Sequence, residues 1–496
     1  MSRKSIILVA ILLTTGASLY LWQGNLSAAP PVPVKEAQIE PLDDPGAMEQ
    51  KYPSQYAGWK ATAQPTESGK SRYKRGYDSD GVVYDKMDQY PFLALLLSGS
   101  GYALEFNEPR GHAYMIEDQL EVEPARLKAG GSCLTCKTPY APQLQEKLGD
   151  NYFGLPYKDV LSRIPEEHRT LGVTCGDCHG TDMELRISRA FTLGKGLEAL
   201  GKKPDELKTA EMRTLVCAQC HVTYNIPQND KHKSEDVVFP WQGSEWGDIS
   251  AENIISRIRK NAHLNEWTQN VTGFRLGYIR HPEFEFFSND STHWQAGAAC
   301  ADCHMPATEV DGKMISDHRV MSPLKSDLRG CAQCHEDNAE TLRQKVFVIQ
   351  DQTVSVLIRS GYATAAVAKL FEKTHAEQKS GLKVNPDLYA QAREHYEEAF
   401  YRVLFMAVEN SVGFHNPTEA SRILKDAMGH AATADHLLRR ALEQAGLEVA
   451  TEIDLELEKY LNNRGEKKRM FRPEHEIKDP LPVVQESERK SDFPVL

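Results

Sequence analysis

Apolar positions along this chain follow different patterns in different places. Ile6 to Trp22 is a nearly unbroken apolar run. Arg3 and Lys4 precede it, and the small residues Ser27, Ala28 and Ala29 follow. That pattern predicts a cleaved export signal over residues 1–29, with an uncleaved anchor as the alternative. A Pro-rich linker over 30–50 comes next. Towards the other end, Val354, Leu357, Ile358, Tyr362 and Ala365 recur at helical spacing, predicting a helix from Ala339 to about Glu377. Asn385-Pro386 and Asn416-Pro417 each place a capping side chain before a proline suited to the first helical turn. Gly446 supplies a stop for the last helix. A long-helix region is therefore expected over 338–465, its apolar faces packed on the preceding region or on a second subunit. A charged, Pro-containing tail over 466–496 reads as a surface arm. The stretch between, 51–337, is dominated by its cysteines.

Composition narrows the class. With 496 residues, 41% hydrophobic and 26% charged, the chain can build one large domain or two to three ordinary ones. A formal net charge of −12 argues against nucleic acid as a partner, because phosphate binding needs a concentrated basic surface. A small anionic substrate stays open, since a buried site sets its own field.

An exported chain with ten cysteines would ordinarily suggest disulfides. The spacing points elsewhere. Every cysteine belongs to a C-x-x-C pair: Cys133/Cys136, Cys175/Cys178, Cys217/Cys220, Cys300/Cys303 and Cys331/Cys334. Four pairs are followed by histidine, namely His179, His221, His304 and His335. C-x-x-C-H is the attachment signature of c-type haem, with the histidine beneath the iron. Zinc knuckles and redox dithiols explain one such motif but not four with no cysteine left over. In the first pair the next residue is Lys137 instead. A lysine amine can ligate iron once it loses its proton, which coordination and burial both favour. Cys133, Cys136 and Lys137 thus predict a fifth haem unlike the other four. Five haems on about two hundred residues must be crowded. The fold class expected is mainly α: a multihaem cytochrome c fold with short helices and loops around cofactors, then long C-terminal helices.

Four of the 17 histidines follow the cysteine pairs. Up to four more are needed as second axial ligands. His112, His281, His293, His318 and His415 lie in irregular segments where ligands are easier to place. His168, His232 and His475 sit in polar stretches and read as solvated. His395, His430 and His436 fall on predicted helices.

The motif order, with "RGHAY", "CAQCHVTY", "RHPEFE", "HWQAGAACADCHMP" and "GFHNP", resembles the pentahaem, ammonia-forming cytochrome c nitrite reductases over nearly the whole mature chain. The resemblance implies that Lys137 ligates the catalytic haem, whose distal face is open to nitrite. It implies distal ligands His112 for the haem on His221, His293 for that on His335, His318 for that on His179 and His415 for that on His304. It implies a pocket of Tyr224, His281 and an arginine, assigned to Arg126 with Arg110 as fallback. It implies a membrane-bound multihaem quinol dehydrogenase as electron donor; the export signal points to the periplasm, and the apolar faces of the long helices to a homodimer. One departure stands out. Relatives carry a calcium ion beside the pocket, with a glutamate before the tyrosine; here Thr223 precedes Tyr224, and Tyr278 and Arg280 precede His281. The expectation is that calcium is absent and the Arg280 guanidinium takes its place. Two competing functions are a non-catalytic multihaem conduit, which has no need of an odd ligand such as Lys137, and a multihaem reductase of sulfite or hydroxylamine.

Overall fold

A computed structural model describes residues 44–65, 72–73, 76, 81–203, 206–229 and 233–482. The export segment, the linker up to residue 43, His232 and the tail beyond 482 lie outside the described residues. The fold is mainly α. Up to residue 337 the helices are short, and the C-terminal part holds three long ones. We label the helices used below α1 (Ala251–Lys260), α2 (Ala339–Lys379), α3 (Pro386–Val408) and α4 (Pro417–Gln444). Their ends follow from the capping residues. Asn338 accepts from the Thr341 amide at 2.9 Å, and Asn385 from Asp387 and Leu388 at 3.0 and 3.3 Å. Asn416 accepts from Glu419 at 3.3 Å. Gly446, at φ +84°, takes the left-handed turn that ends α4.

The three long helices pack on one another, and α3 is buried on every side from Phe400 to Val408. At 41 residues, α2 is roughly 60 Å long. By length and composition it could cross a membrane, but its most apolar stretch is mostly buried in this bundle, as suits a core helix. The bundle docks on the first part at Gly361. A Cβ there would lie 2.4 Å from the Phe92 ring, on the fully buried short helix Phe92–Leu96. Amphipathic α1 buries Ile254, Ile255 and Ile258, while its Arg259 reaches Glu397 of α3 at 3.1 Å.

Strand is confined, among the described residues, to two antiparallel hairpins: β1 (Trp267–Thr268) with β2 (Arg275–Leu276), and β3 (Ala307–Val310) with β4 (Lys313–Ser316). Asp311 and Gly312, both at positive φ, make the two-residue turn of the second, as the twist of a tight hairpin requires.

Residues 466–482, the described part of the expected surface arm, lie at the surface but are tied to the body, as is Arg464 just before them. Arg464 pairs with Asp85 at 2.9 Å and with Asp88 at 3.2 Å, all three nearly inaccessible. Arg472 reaches Asp88 at 2.7 Å, and Arg359 of α2 holds Asp479 at 2.9 Å. The tail's charge reads as solvation in the sequence because the buried carboxylate partners of Arg464 and Arg472 lie more than three hundred residues upstream.

Candidate functional site

The cysteine pairs converge in space. The Cys136 and Cys220 thiols lie near enough to perturb one another, as do those of Cys217 and Cys300. Cys178 lies within electrostatic reach of Cys220, and Cys303 of Cys331 and Cys334. The motif ending in His221 is therefore central, with the Lys137, His179 and His304 motifs around it and the His335 motif beyond His304.

Cys334 differs from the other nine cysteines in its exposure. Nine of the ten cysteines are partly buried, whereas Cys334 is exposed, and so is His335 beside it. The cause is position. This motif ends the row, with the Cys300/Cys303 motif on one side, and the chain leaves it through the exposed residues 336–341 into α2. Its partner Cys331 is half-buried against the small apolar cluster of Leu324, Leu328, Leu342, Val346 and Phe347. Cys334 keeps its place as an attachment residue by spacing, but on the rim of the molecule and not in its interior.

Three of the inner motifs are tied by Arg189, which is 1% exposed. Its guanidinium donates to the carbonyls of Thr135 (2.7 Å) and Thr138 (3.1 Å) and to the Asp177 carboxylate (2.6 Å). Its own amide donates to Gln219 Oε1 at 2.7 Å, and Gln219 Nε2 donates to the Asp177 carbonyl at 3.1 Å. Thr135, Asp177 and Gln219 are residues inside the C-x-x-C loops. Asp177 also accepts from the Thr174 amide at 2.7 Å, closing its own loop. Sequence reasoning missed Arg189; nothing in "RISRAF" marks it.

Each of the four expected histidine pairs is brought together. Ring centroids are 6.2 Å apart for His112 and His221, 6.4 Å for His179 and His318, and 6.3 Å for both His293 and His335 and His304 and His415. Two metal–imidazole bonds of about 2 Å plus the ring radii span roughly 6.3 Å, so the residues fit an iron held between each pair. Side-chain polarity agrees. The Nδ1 atoms of His179, His304 and His318 face the carbonyls of Met183 (2.9 Å), Met321 (2.9 Å) and Ser316 (2.8 Å). A carbonyl only accepts, so each Nδ1 carries the proton and Nε2 is left to ligate. His415 differs: its Nδ1 lies 3.0 Å from the Glu409 carboxylate, which is fully buried.

The other expected groups gather at the first motif. The charges that bear on the buried Cys133 thiol are those of Arg280, Lys137, Arg126 and Glu266. Arg126 stacks on Tyr102 at 4.3 Å and donates to the Glu105 carbonyl at 2.9 Å. Arg110, the fallback, is bound to Asp118 (2.6 Å) and Glu121 (2.8 Å) instead. Burial, then Tyr102, hold the Tyr224 hydroxyl far above its usual range, so it stays protonated. His281 adopts φ +47°, a conformation costing on the order of 1–3 kcal/mol and typical of functional positions. A cavity of about 30 Å³, room for a water or two, lies among Tyr102, Tyr278, Arg280 and His281.

Arg280 is buried at the back of this pocket. It makes a two-pronged pair with Glu266, at 2.7 and 2.9 Å, and donates to the Tyr224 carbonyl at 2.9 Å. Its guanidinium lies over the Tyr278 ring at 4.3 Å. Its amide donates to Thr223 Oγ1 at 3.1 Å, while the Thr223 amide donates to Glu285 at 2.9 Å. Thr223 therefore fastens the Tyr224 segment to the turn carrying His281. Glu285 also accepts from Trp241 Nε1 at 2.7 Å, and burial pushes its carboxyl up to about 8. Sequence reasoning missed Glu266. The hairpin supplies it: β1 and β2 pair Trp267 with Leu276, and the Glu266 amide donates to the Leu276 carbonyl at 2.9 Å, four residues before Arg280.

Of the histidines read as solvated, His168 instead receives Tyr140 Oη at 2.5 Å, and His475 stacks on Tyr84 at 4.7 Å. His395 and His430 meet between α3 and α4, Nδ1 to Nδ1 at 2.8 Å.

Comparison with known proteins agrees with this architecture. The chain is 31% identical over 407 residues to cytochrome c-552 of Bacteroides fragilis, covering 80% of this chain and 77% of that one. It is 29% identical over 421 residues to the cytochrome c nitrite reductase subunit NrfA of Nitratidesulfovibrio vulgaris, covering 80% and 78%. Among solved structures it matches the catalytic subunit, NrfA, of the Desulfovibrio desulfuricans cytochrome c nitrite reductase. The TM-score is 0.71 and the identity 27%, over 82% of this chain and 88% of that one, a subunit described with two calcium sites. Residues 44–492 match the cytochrome c552 family. With covalently bound haem c as its cofactor and the resemblance to ammonia-forming nitrite reductases borne out, the chain belongs to the cytochrome c552 family.

Proposed function

We propose that the chain reduces nitrite to ammonium in the periplasm. The haem carried by Cys133, Cys136 and Lys137 is the reaction site, and the four haems between histidine pairs are the electron supply. The observation that carries this is a contrast. Four motifs meet a second histidine ring at 6.2–6.4 Å, whereas the first meets Arg126, Tyr224 and Arg280. A cationic, hydroxyl-lined pocket suits a small anion, and a second ligand would have closed the site.

The conversion consumes six electrons and eight protons and yields ammonium and two waters. Bound haem supplies the redox chemistry and an open coordination position. The protein's own groups do the rest. Arg126 holds the anion and offers donors to its departing oxygens. His281 exchanges protons near neutral pH. Tyr224, kept protonated by burial, donates a hydrogen bond. The nearness of Cys136 to Cys220, and of Cys217 to Cys300, supports short steps between neighbouring groups. The donor in this proposal is a membrane-bound multihaem quinol dehydrogenase, and the assembly a homodimer.

Arg280 stands where relatives hold calcium. Its support is that the oxygens suited to a cation, Glu266 and the Tyr224 carbonyl, are already bound to the guanidinium. One calcium per chain by metal analysis would refute this.

The test of function uses haem-loaded protein, a reduced low-potential dye and nitrite under anaerobic conditions. One ammonium per nitrite with six electrons used is the expected result. Haem reduction without turnover would favour a conduit. Faster turnover of sulfite or hydroxylamine would favour the other reductase.

A further inference from the structure

The turn at 464–469 grips the two segments that place Arg126. Arg126 sits on the short helix Pro124–Ala129, and its amide donates to the Glu123 carbonyl at 2.8 Å. Its guanidinium donates to the Glu105 carbonyl. Both glutamates have fully buried side chains, and both are held by the same distant turn. Glu123 accepts from the amides of Glu466 and Lys467. Glu105 pairs with Lys467 at 3.0 Å and with Arg469. Lys467 also donates to the Glu121 carbonyl. The turn has no room to back away: Gly465 is at φ +63°, and a Cβ there would lie 2.2 Å from the Glu123 carboxyl carbon.

We propose that the Glu105–Lys467–Arg469 cluster is a positioning device for nitrite binding. The C-terminal turn fixes the distance between the Arg126 helix and the carbonyl that orients its guanidinium. Two buried carboxylates would not be placed there for stability alone, since buried ion pairs contribute little net against apolar packing. What they provide is a fixed geometry on either side of one side chain. This inference rests on Arg126 being the anion-binding group.

The test compares full-length, haem-loaded variants. Glu105→Gln removes the attraction but keeps the carbonyl; Lys467 and Arg469 are 35% and 26% exposed and can turn to water. The expected result is a nitrite KM raised at least tenfold with kcat changed less than twofold, the signature of lost binding rather than a smaller active fraction. Gly465→Ala, which changes no charge, is expected to raise KM in the same way. The double variant Lys467→Arg, Arg469→Lys should keep the parent KM. Haem content and melting temperature are measured alongside, because a merely structural role would lower both and leave KM alone. Arg126→Met is the reference. If it raises KM while Glu105→Gln and Gly465→Ala do not, the positioning device is overturned. If Arg126→Met itself leaves KM unchanged, the pocket assignment fails, and this inference with it.

Discussion

Replacing Arg280 by methionine probes the back wall of the pocket. Arg280 and Glu266 have side-chain exposures of 8% and 4%, so removing the guanidinium leaves a carboxylate buried without a partner. Breaking such a pair costs about 3–5 kcal/mol, and the lost bond to the Tyr224 carbonyl adds about 1 kcal/mol. The cost depends on pH, because what the substitution strands is a charged carboxylate: with its counter-charge gone, burial disfavours the ionised form. The deficit is therefore smaller in acid, where the carboxylate is more easily neutralised, and larger as pH rises. The melting temperature of Arg280→Met should therefore fall further behind the parent at pH 8 than at pH 5, by several degrees. Adding Glu266→Gln should restore most of the loss. The variant also uncovers two oxygen donors, so millimolar calcium is expected to stabilise Arg280→Met and not the parent. The assay is thermal melting of haem-loaded protein across pH, with and without calcium or chelator. A variant melting within a degree of the parent at both pH values would refute the buried pair.

Arg189→Met leaves Asp177 buried and unpaired and frees the Thr135 and Thr138 carbonyls, a loss of about 3–5 kcal/mol; haem per chain, read by absorbance after denaturation, should fall below that of the parent. Glu285→Gln should stabilise the protein progressively from pH 5 to pH 8. The carboxyl is pushed up to about 8 in the fold, so the unfolded chain ionises first over that window, at a cost on the order of a few kcal/mol that glutamine avoids. An equal melting difference at both ends of the window would count against it. Gly361→Ala drives a methyl into the Phe92 ring and should cost about 1–3 kcal/mol by chemical denaturation, without changing the nitrite KM.

What could be read from the sequence was whatever is local. The Asn-Pro helix starts, the Gly446 stop and the C-x-x-C spacing each act within a few residues, and the structure places them as expected. The Asp311-Gly312 hairpin was equally local but went unread, because the cysteines drew attention to that stretch as helix and loop. Distal histidines were not derivable from periodicity; matching motifs chose them, and the geometry now sets each beside its partner. Nor does spacing say which motif ends at the surface: "CAQCH" occurs twice, once at the centre with His221 and once at the rim with the exposed Cys334. Groups that act across long separations left no local mark. Arg189 reaches 54 residues back to Thr135, and Lys467 reaches 362 back to Glu105. Both look like ordinary surface charges in sequence, since burial of a charge is decided by a partner that only the fold brings near.

That partner principle also changes what Arg280 can do. From sequence, Arg280 was expected to stand in for an ion in two ways, by holding the pocket's hydrogen-bond network and by keeping the local potential positive. Paired with Glu266 through both nitrogens, it instead forms a nearly neutral unit, whose field falls off quickly compared with that of a lone charge. Its contribution is mechanical: one planar group joins Glu266, the Tyr224 carbonyl and the Tyr278 ring, and so fixes the wall from which Tyr224 and His281 project. In the proposed function the attraction for an anion then rests on Arg126, which among the described residues has no carboxylate pair, together with His281. Nitrite affinity should accordingly follow Arg126 and its supports, while loss of Arg280 should appear first in stability and in the orientation of Tyr224. A divalent ion would do both jobs at once; dividing them between two arginines makes them separable by substitution.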